Sequence, residues 1–126
     1  MTQNLVSESL LRAVEAKRPQ KGLMHHSDRG SQYCSNDYRE LLDYFGLQVS
    51  MSGKGNCYDN APMESFWGML KQELIYHCHF HTRQEARQAI TEYIELFYNR
   101  QRLQAKLGFL SPVAYTKKYY AGLLAT

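Results

Sequence analysis

No stretch of this chain approaches the roughly 20 consecutive apolar residues that a helix needs to cross a bilayer, so a membrane-spanning helix is excluded. Cysteine is scarce as well. Cys34, Cys57 and Cys78 make an odd set with no Cys-x-x-Cys pair, which argues against a disulfide framework. Nothing near the N-terminus reads as a basic and then apolar secretory leader, and a reducing, cytoplasmic setting is the expectation. Internal repeats, linkers and low-complexity tracts are missing too. The charge excess is small: 15 Lys and Arg against 12 Asp and Glu leave +3, too little to indicate a polyanion partner without a local basic cluster. What remains is one globular domain of 126 residues, a length that buries about two thirds of the surface exposed by the unfolded chain.

Ten tyrosines and five phenylalanines supply much of the core-forming material. Val6, Leu10, Ala13 and Val14 recur at helical spacing over 3–18, with Thr2 as the expected N-cap and Pro19 as the stop. Residues 23–27 read as a short buried strand. Tyr38, Leu41, Leu42 and Phe45 predict a helix over 36–45, with Gly46 suited to the position just past its end. Residues 47–51 alternate apolar and polar, as a second strand does. Strand, helix, strand implies a parallel pair joined by a right-handed crossover.

The glycine-bearing stretch 52–58 has no periodicity and predicts a mobile loop. A helix over 61–75 should follow, burying Met63, Phe66, Trp67, Leu70 and Leu74. Thr82 and Glu85 match a capping box. Behind it, Ala86, Ala89, Ile90, Tyr93, Ile94 and Phe97 share one helical face reaching about residue 98. Ser111-Pro112 reads as an N-cap and first-turn proline opening a last helix through Tyr115 and on toward Tyr120.

Two acids stand out. Asp28 closes the first strand at a turn-forming Asp-Arg-Gly, and Glu64 falls in the first turn of the helix announced by Asp59-Asn60-Ala61-Pro62. Residues 29–63 place thirty-five positions between them. A strand end and a helix start can bring such carboxylates together around a divalent cation. Each acid also has a plainer explanation: an Asx turn for Asp28, and a favourable helix-dipole position for Glu64.

Three segments occur in order: His26-Ser27-Asp28-Arg29-Gly30-Ser31-Gln32-Tyr33; Met51 through Asn60-Ala61-Pro62-Met63-Glu64-Ser65-Phe66; and Tyr98-Asn99-Arg100-Gln101-Arg102, followed by Leu107-Gly108 and Ser111-Pro112. Together they resemble bacterial insertion-sequence transposases whose catalytic core is related to retroviral integrase. The resemblance spans residues 22–115, between a leading helix (1–21) and a C-terminal tail (116–126). It implies an α/β, partial RNase H-like fold with two parallel strands and four to five helices, the first three core strands missing.

In that family two aspartates and a glutamate bind two divalent ions, Mg²⁺ or Mn²⁺, for DNA strand cleavage and joining. Asp28 matches the second aspartate and Glu64 the glutamate. The first aspartate belongs well upstream, and only 27 residues precede Asp28. The resemblance therefore implies a C-terminal portion of a transposase that is inactive alone. It also departs from its relatives after Arg102, where Leu103 and Gln104 replace a commonly found arginine and histidine.

Carboxylates suit such hard cations because those prefer oxygen ligands. Two metals stabilise both the attacking and leaving oxygens of an in-line displacement, so Asp28 and Glu64 are expected to act as ligands rather than as acid or base. At about 100° per residue, Asn60, Glu64 and Lys71 lie within roughly 40° of one another. Asn60 and Lys71, with Lys54 on the preceding loop, become candidate contacts to the DNA backbone. Arg100, Arg102 and Lys106 form a second basic cluster beside Tyr98 with the same expectation. A solvated helix face, or the basic end of a long helix, would explain these cations equally well.

His77-Cys78-His79 with His81 lacks a second ligand pair at standard zinc spacing. His25 and His26, close to Asp28, are expected to be hydrogen-bonded strand histidines or to line its cleft. With its upstream neighbours absent, the strand at 23–27 should present an unpaired apolar edge. Such an edge favours a homo-oligomer, capture of the missing N-terminal half, or association with an intact transposase. The rival reading is a noncatalytic nucleic-acid-binding or interaction remnant that pairs with an intact transposase.

Overall fold

Val6 and Leu10 lie one helical turn apart and turn the same face of α1 (Gln3–Lys17) into the core, where both are buried. A computed structural model describes residues 2–124, apart from the side chains of Cys57 and Leu124; Ala125 and Thr126, the end of the expected tail, lie outside the described residues. Thr2 takes the extended N-cap conformation, but its hydroxyl makes no capping bond, contrary to expectation. The helix ends where Arg18 turns left-handed, φ 45°, and donates its N–H to the Val14 carbonyl at 2.8 Å.

β1 (Met24–Ser27), α2 (Asn36–Tyr44) and β2 (Gln48–Met51) follow. The strands pair in parallel, in register from Met24 opposite Gln48 to Ser27 opposite Met51. The Ser35 hydroxyl caps α2 by accepting the Tyr38 N–H at 3.3 Å, and Gly46 follows the helix with φ 68°. Val6, Leu10, Tyr38, Leu42 and Leu47 form the buried core, with Val14, Tyr33, Leu41 and Phe45 packed against it.

The expected buried strand is a correction. Leu23 and Met24 remain 55% and 62% exposed. Alternate strand residues face opposite sides, so His25 meets Tyr38 of α2 edge-on at 5.7 Å while Met24 points away. The sheet has only two strands among the described residues, leaving β1 one edge without a strand neighbour.

His25 is lodged against the core, its Nε2 3.0 Å from the Tyr38 hydroxyl. Burial pulls its pKa below the ordinary 6.5, with the neighbouring His26 charge adding to the shift. The unfolded chain therefore takes up this proton first as pH falls. Stability from this ring is fully present above 6.5 and declines beneath it until the folded imidazole also titrates. Urea melts from pH 7.5 downward are expected to show falling stability over that window, with the slope reduced in His25→Gln. An unchanged slope in the variant would refute the assignment.

The chain folds as two compact units, residues 1–65 and 66–126, and α3 (Ala61–Glu73) carries residues of both. A 3₁₀ turn at Ile75–His77 follows α3. Its expected apolar stripe narrows to one row: Leu70 is buried and Phe66 and Leu74 are half-buried, four residues apart. Met63 and Trp67, on the adjacent row, stay 52% and 46% exposed. Phe66 meets both Tyr98 and Trp67 edge-on, each at 5.0 Å.

Thr82 caps α4 (Arg83–Glu92) by accepting the Glu85 N–H at 3.1 Å. The Glu85 carboxylate reaches one residue further back than in the expected capping box, to the His81 N–H at 2.8 Å. The helix continues to Tyr98 as a π-helical turn, Tyr93–Tyr98, that buries Tyr93 and leaves Phe97 exposed. Glu73 joins three parts of this unit: it receives the Tyr93 hydroxyl at 2.5 Å and the Arg102 guanidinium at 2.7 Å. Those two bonds, that of Arg102 foremost, hold the Glu73 carboxyl below its ordinary range. The Ser111 hydroxyl accepts the Ala114 N–H at 3.2 Å and opens α5 (Pro112–Leu124), which runs past the expected end near Tyr120. Among the described residues no helix is long and apolar enough to cross a membrane.

Candidate active site

The parallel pairing of β1 and β2 extends one step beyond the strands, where the Ser52 N–H donates to the Ser27 carbonyl at 2.9 Å. Arg29 ties the same level by donating from Nε to the Ser52 carbonyl at 2.8 Å. Between these anchors the chain turns at Asp28, whose Oδ1 accepts the Gly30 N–H at 2.8 Å. This is the Asx turn foreseen as the plainer explanation, and it uses only one carboxylate oxygen. A Cβ at Gly30 would stand 3.0 Å from Asp28 Oδ1 and 3.1 Å from the Gln32 amide, so those side-chain ends would have to shift by a few tenths of an ångström.

Beyond β2, the loop 53–56 and a 3₁₀ turn, Cys57–Asn60, lead straight into α3, with Glu64 in its first turn. The expected loop is thus partly ordered into helix-like turn. Asp28, Arg29, Lys54, Asn60 and Glu64 line one open cavity of about 410 Å³, all within the first unit. The two acids separated by thirty-five residues share it, as do the Lys54 and Asn60 singled out with them. Arg29 was not singled out as a cation, although its place directly after Asp28 was the available signal.

Lys71, Arg100, Arg102 and Lys106 belong to the second unit and do not line this cavity. The Arg102 fork is occupied by Glu73 and by the Gln104 side chain. Arg100 and Lys106 carry no ion pair among the described residues. Neither strand histidine lines the cavity. His25 faces Tyr38, and His26 lies 2.9 Å from the Ser50 hydroxyl and 3.3 Å from that of Ser52.

No group of three or more His, Cys, Asp or Glu able to hold a metal forms among the described residues, so Asp28 and Glu64 stand as a pair. The second oxygen of Asp28, the Glu64 carboxylate and the Asn60 amide oxygen are hard oxygen donors on one open cavity, a chemistry that suits a hard divalent cation.

Two family models, both described as the integrase core domain, match residues 1–57 and 64–119. The chain belongs to the integrase core family of insertion-sequence transposases. It is 57% identical over 120 residues to the insertion element IS600 uncharacterized 31 kDa protein of Shigella sonnei, covering 95% of this chain and 44% of that protein. It is 49% identical over 117 residues to the transposase for insertion sequence element IS904 of Lactococcus lactis, covering 93% and 46%. Against transposase InsF for insertion sequence IS3A of Escherichia coli the identity is 42% over 121 residues, covering 96% and 42%. The chain thus spans less than half the length of these relatives. The first integrase-core match ends within the turn before α3, and the second begins at Glu64.

Proposed function

We propose that this chain forms the C-terminal portion of an RNase H-like transposase core and supplies two of the three acids used for DNA strand cleavage and joining. The observation that carries this reading is the meeting of Asp28 and Glu64 on one cavity. The Asx turn aims one Asp28 oxygen at Gly30 and leaves the other for a cation. Glu64 comes from the start of a helix, and in this reading the third acid belongs to the part of the relatives' length that this chain does not cover.

Bound Mg²⁺ or Mn²⁺ would supply the charge that stabilises the attacking and leaving oxygens. Asp28 and Glu64 would hold it, while Arg29 and Lys54 receive the phosphate backbone and Asn60 offers a neutral contact. In the second unit Lys71, Arg100 and Lys106, which carry no ion pair among the described residues, are separate candidate contacts to the DNA backbone. Arg102 braces Glu73 instead of reaching outward.

A Mn²⁺ titration followed by NMR line broadening tests the site. The amides of Asp28, Arg29, Gly30, Asn60, Ala61, Met63 and Glu64 are expected to broaden first. Gly30→Ala, by crowding Asp28 Oδ1, should weaken the effect several-fold without unfolding the chain. Broadening centred elsewhere would sink the assignment.

The unpaired edge of β1, with Leu23 and Met24 exposed, supports association with the upstream part of the core, a second copy or an intact transposase. Size-exclusion chromatography with light scattering is therefore expected to show a species larger than a monomer; a monomer at tens of micromolar would contradict it. The same edge favours a second reading, a noncatalytic partner of an intact transposase. That reading predicts salt-sensitive DNA binding with no Mg²⁺- or Mn²⁺-dependent nicking even after the upstream part is supplied.

A further inference from the structure

We propose that Asp59 is a positioning residue of this site, folding the loop between β2 and α3 so that Lys54 is held at the cavity shared by Asp28 and Glu64. The inference rests on reading that cavity as a place where DNA phosphate binds. Asp59 does not itself line the cavity. Its Oδ2 accepts the Gly53 N–H at 2.8 Å, and its Oδ1 accepts the Asn56 side-chain amide at 3.1 Å. One carboxylate thus closes the loop at both ends, with Lys54 and Gly55 between.

Two further bonds complete the fold. The Asn56 N–H donates to the Gly53 carbonyl at 3.0 Å, and the Asn56 side-chain oxygen accepts the Tyr58 N–H at 3.1 Å. Gly55 stands at the tip with φ 72°, a left-handed conformation that glycine adopts without the Cβ penalty. A four-residue loop released from this clasp would regain backbone freedom, and Lys54 would spend less time at the cavity. Asp59 acts through that loop, not on the substrate.

Charge and geometry make opposite predictions, which makes the test sharp. As an acid beside a phosphate site, Asp59 repels DNA, so its removal on electrostatic grounds alone should strengthen binding. As a clasp, its removal should weaken binding.

Anisotropy of a labelled DNA duplex with the full chain, between about 50 and 200 mM salt, separates the two. Asp59→Ala is expected to weaken binding several-fold and to reduce the salt slope by about one, the loss of one phosphate contact. Lys54→Ala should do the same, and the double variant should be no worse than Lys54→Ala. Asp59→Asn keeps the side-chain shape and one acceptor, so it should recover part of the loss and also covers the case in which the alanine variant does not fold.

Amide hydrogen exchange over residues 53–56 provides the second readout. If Asp59→Ala speeds exchange there while Lys54→Ala leaves DNA affinity unchanged, the clasp stands and the phosphate reading of Lys54 falls. Tighter DNA binding by Asp59→Ala overturns the proposal. So does unchanged exchange and affinity in Asp59→Ala when Lys54→Ala weakens binding.

Discussion

Glu64→Gln, made in a transposase of full family length that contains this core, is expected to lower Mg²⁺-dependent nicking and strand transfer by three orders of magnitude or more, about 4 kcal/mol of lost transition-state stabilisation. Glutamine keeps the size of the side chain and its helix propensity. What it removes is the negative charge at the cavity and one strong oxygen donor. The cost to folding is of another order. A carboxylate in the first turn of an exposed helix gains about 0.3–1 kcal/mol from the dipole, so the variant should melt close to the parent. Asp28→Asn should behave alike, because an asparagine oxygen can still accept the Gly30 N–H and preserve the turn. Single-turnover assays on end-labelled duplex, paired with thermal melts, give the comparison. A Glu64→Gln enzyme within about tenfold of the parent would show that this carboxylate is not a metal ligand.

Leu42→Ala should produce the largest loss of stability in the first unit, about 3 kcal/mol. Leu42 is only 1% exposed and shares the inward row of α2 with Tyr38 at 2%. Its neighbours come from three different places: α1, α2 and Leu47 just before β2. They cannot all collapse onto a smaller side chain, so the cavity term adds to the lost transfer energy. In a unit this small, the effect corresponds to a fall in Tm of roughly 10 °C or more. Val49→Ala provides the contrast, since Val49 is 45% exposed and should cost less than about 1 kcal/mol. Urea midpoints for the two variants decide the matter; equal losses would mean that the core is not where the packing places it. Function follows the same chain of contacts, because α2 joins the two strands whose ends carry Asp28 and Ser52.

Local chemistry explains what was legible in advance. The ends of α2, the Thr82 and Glu85 cap and the Ser111-Pro112 start are bonds between residues three or four apart, and such bonds form wherever the sequence places those groups together. The parallel pair could be anticipated for the same reason: a short helix between two strands leaves few ways to connect them. Asp28 and Glu64 stood out because each sits at the end of a regular element, and their reading as metal ligands came from the resemblance of the flanking segments to insertion-sequence transposases.

Bonds across long separations were not legible. Arg102 was read as a DNA contact, yet Glu73, twenty-nine residues away, holds it. The stripe on α3 was read too wide because helical periodicity shows which side chains share a face, not how much of that face finds a neighbour. The exposure of β1 has a related cause, since burial of a strand depends on elements that pack over it and not on its own residues. Asp59 gave no signal beyond its place before the helix, and its role emerges only once the loop folds back onto it.

The order of residues was enough to anticipate most of the helices and the parallel strand pair and to single out two acids that line one cavity, since each depends on near neighbours and on chemistry carried by single side chains. Folding alone decided which apolar rows became core, which cations remained unpaired, and how Arg29, Lys54 and the two acids came to share one cavity. Those outcomes depend on contacts between distant segments, whose energies exist only after the chain has closed upon itself.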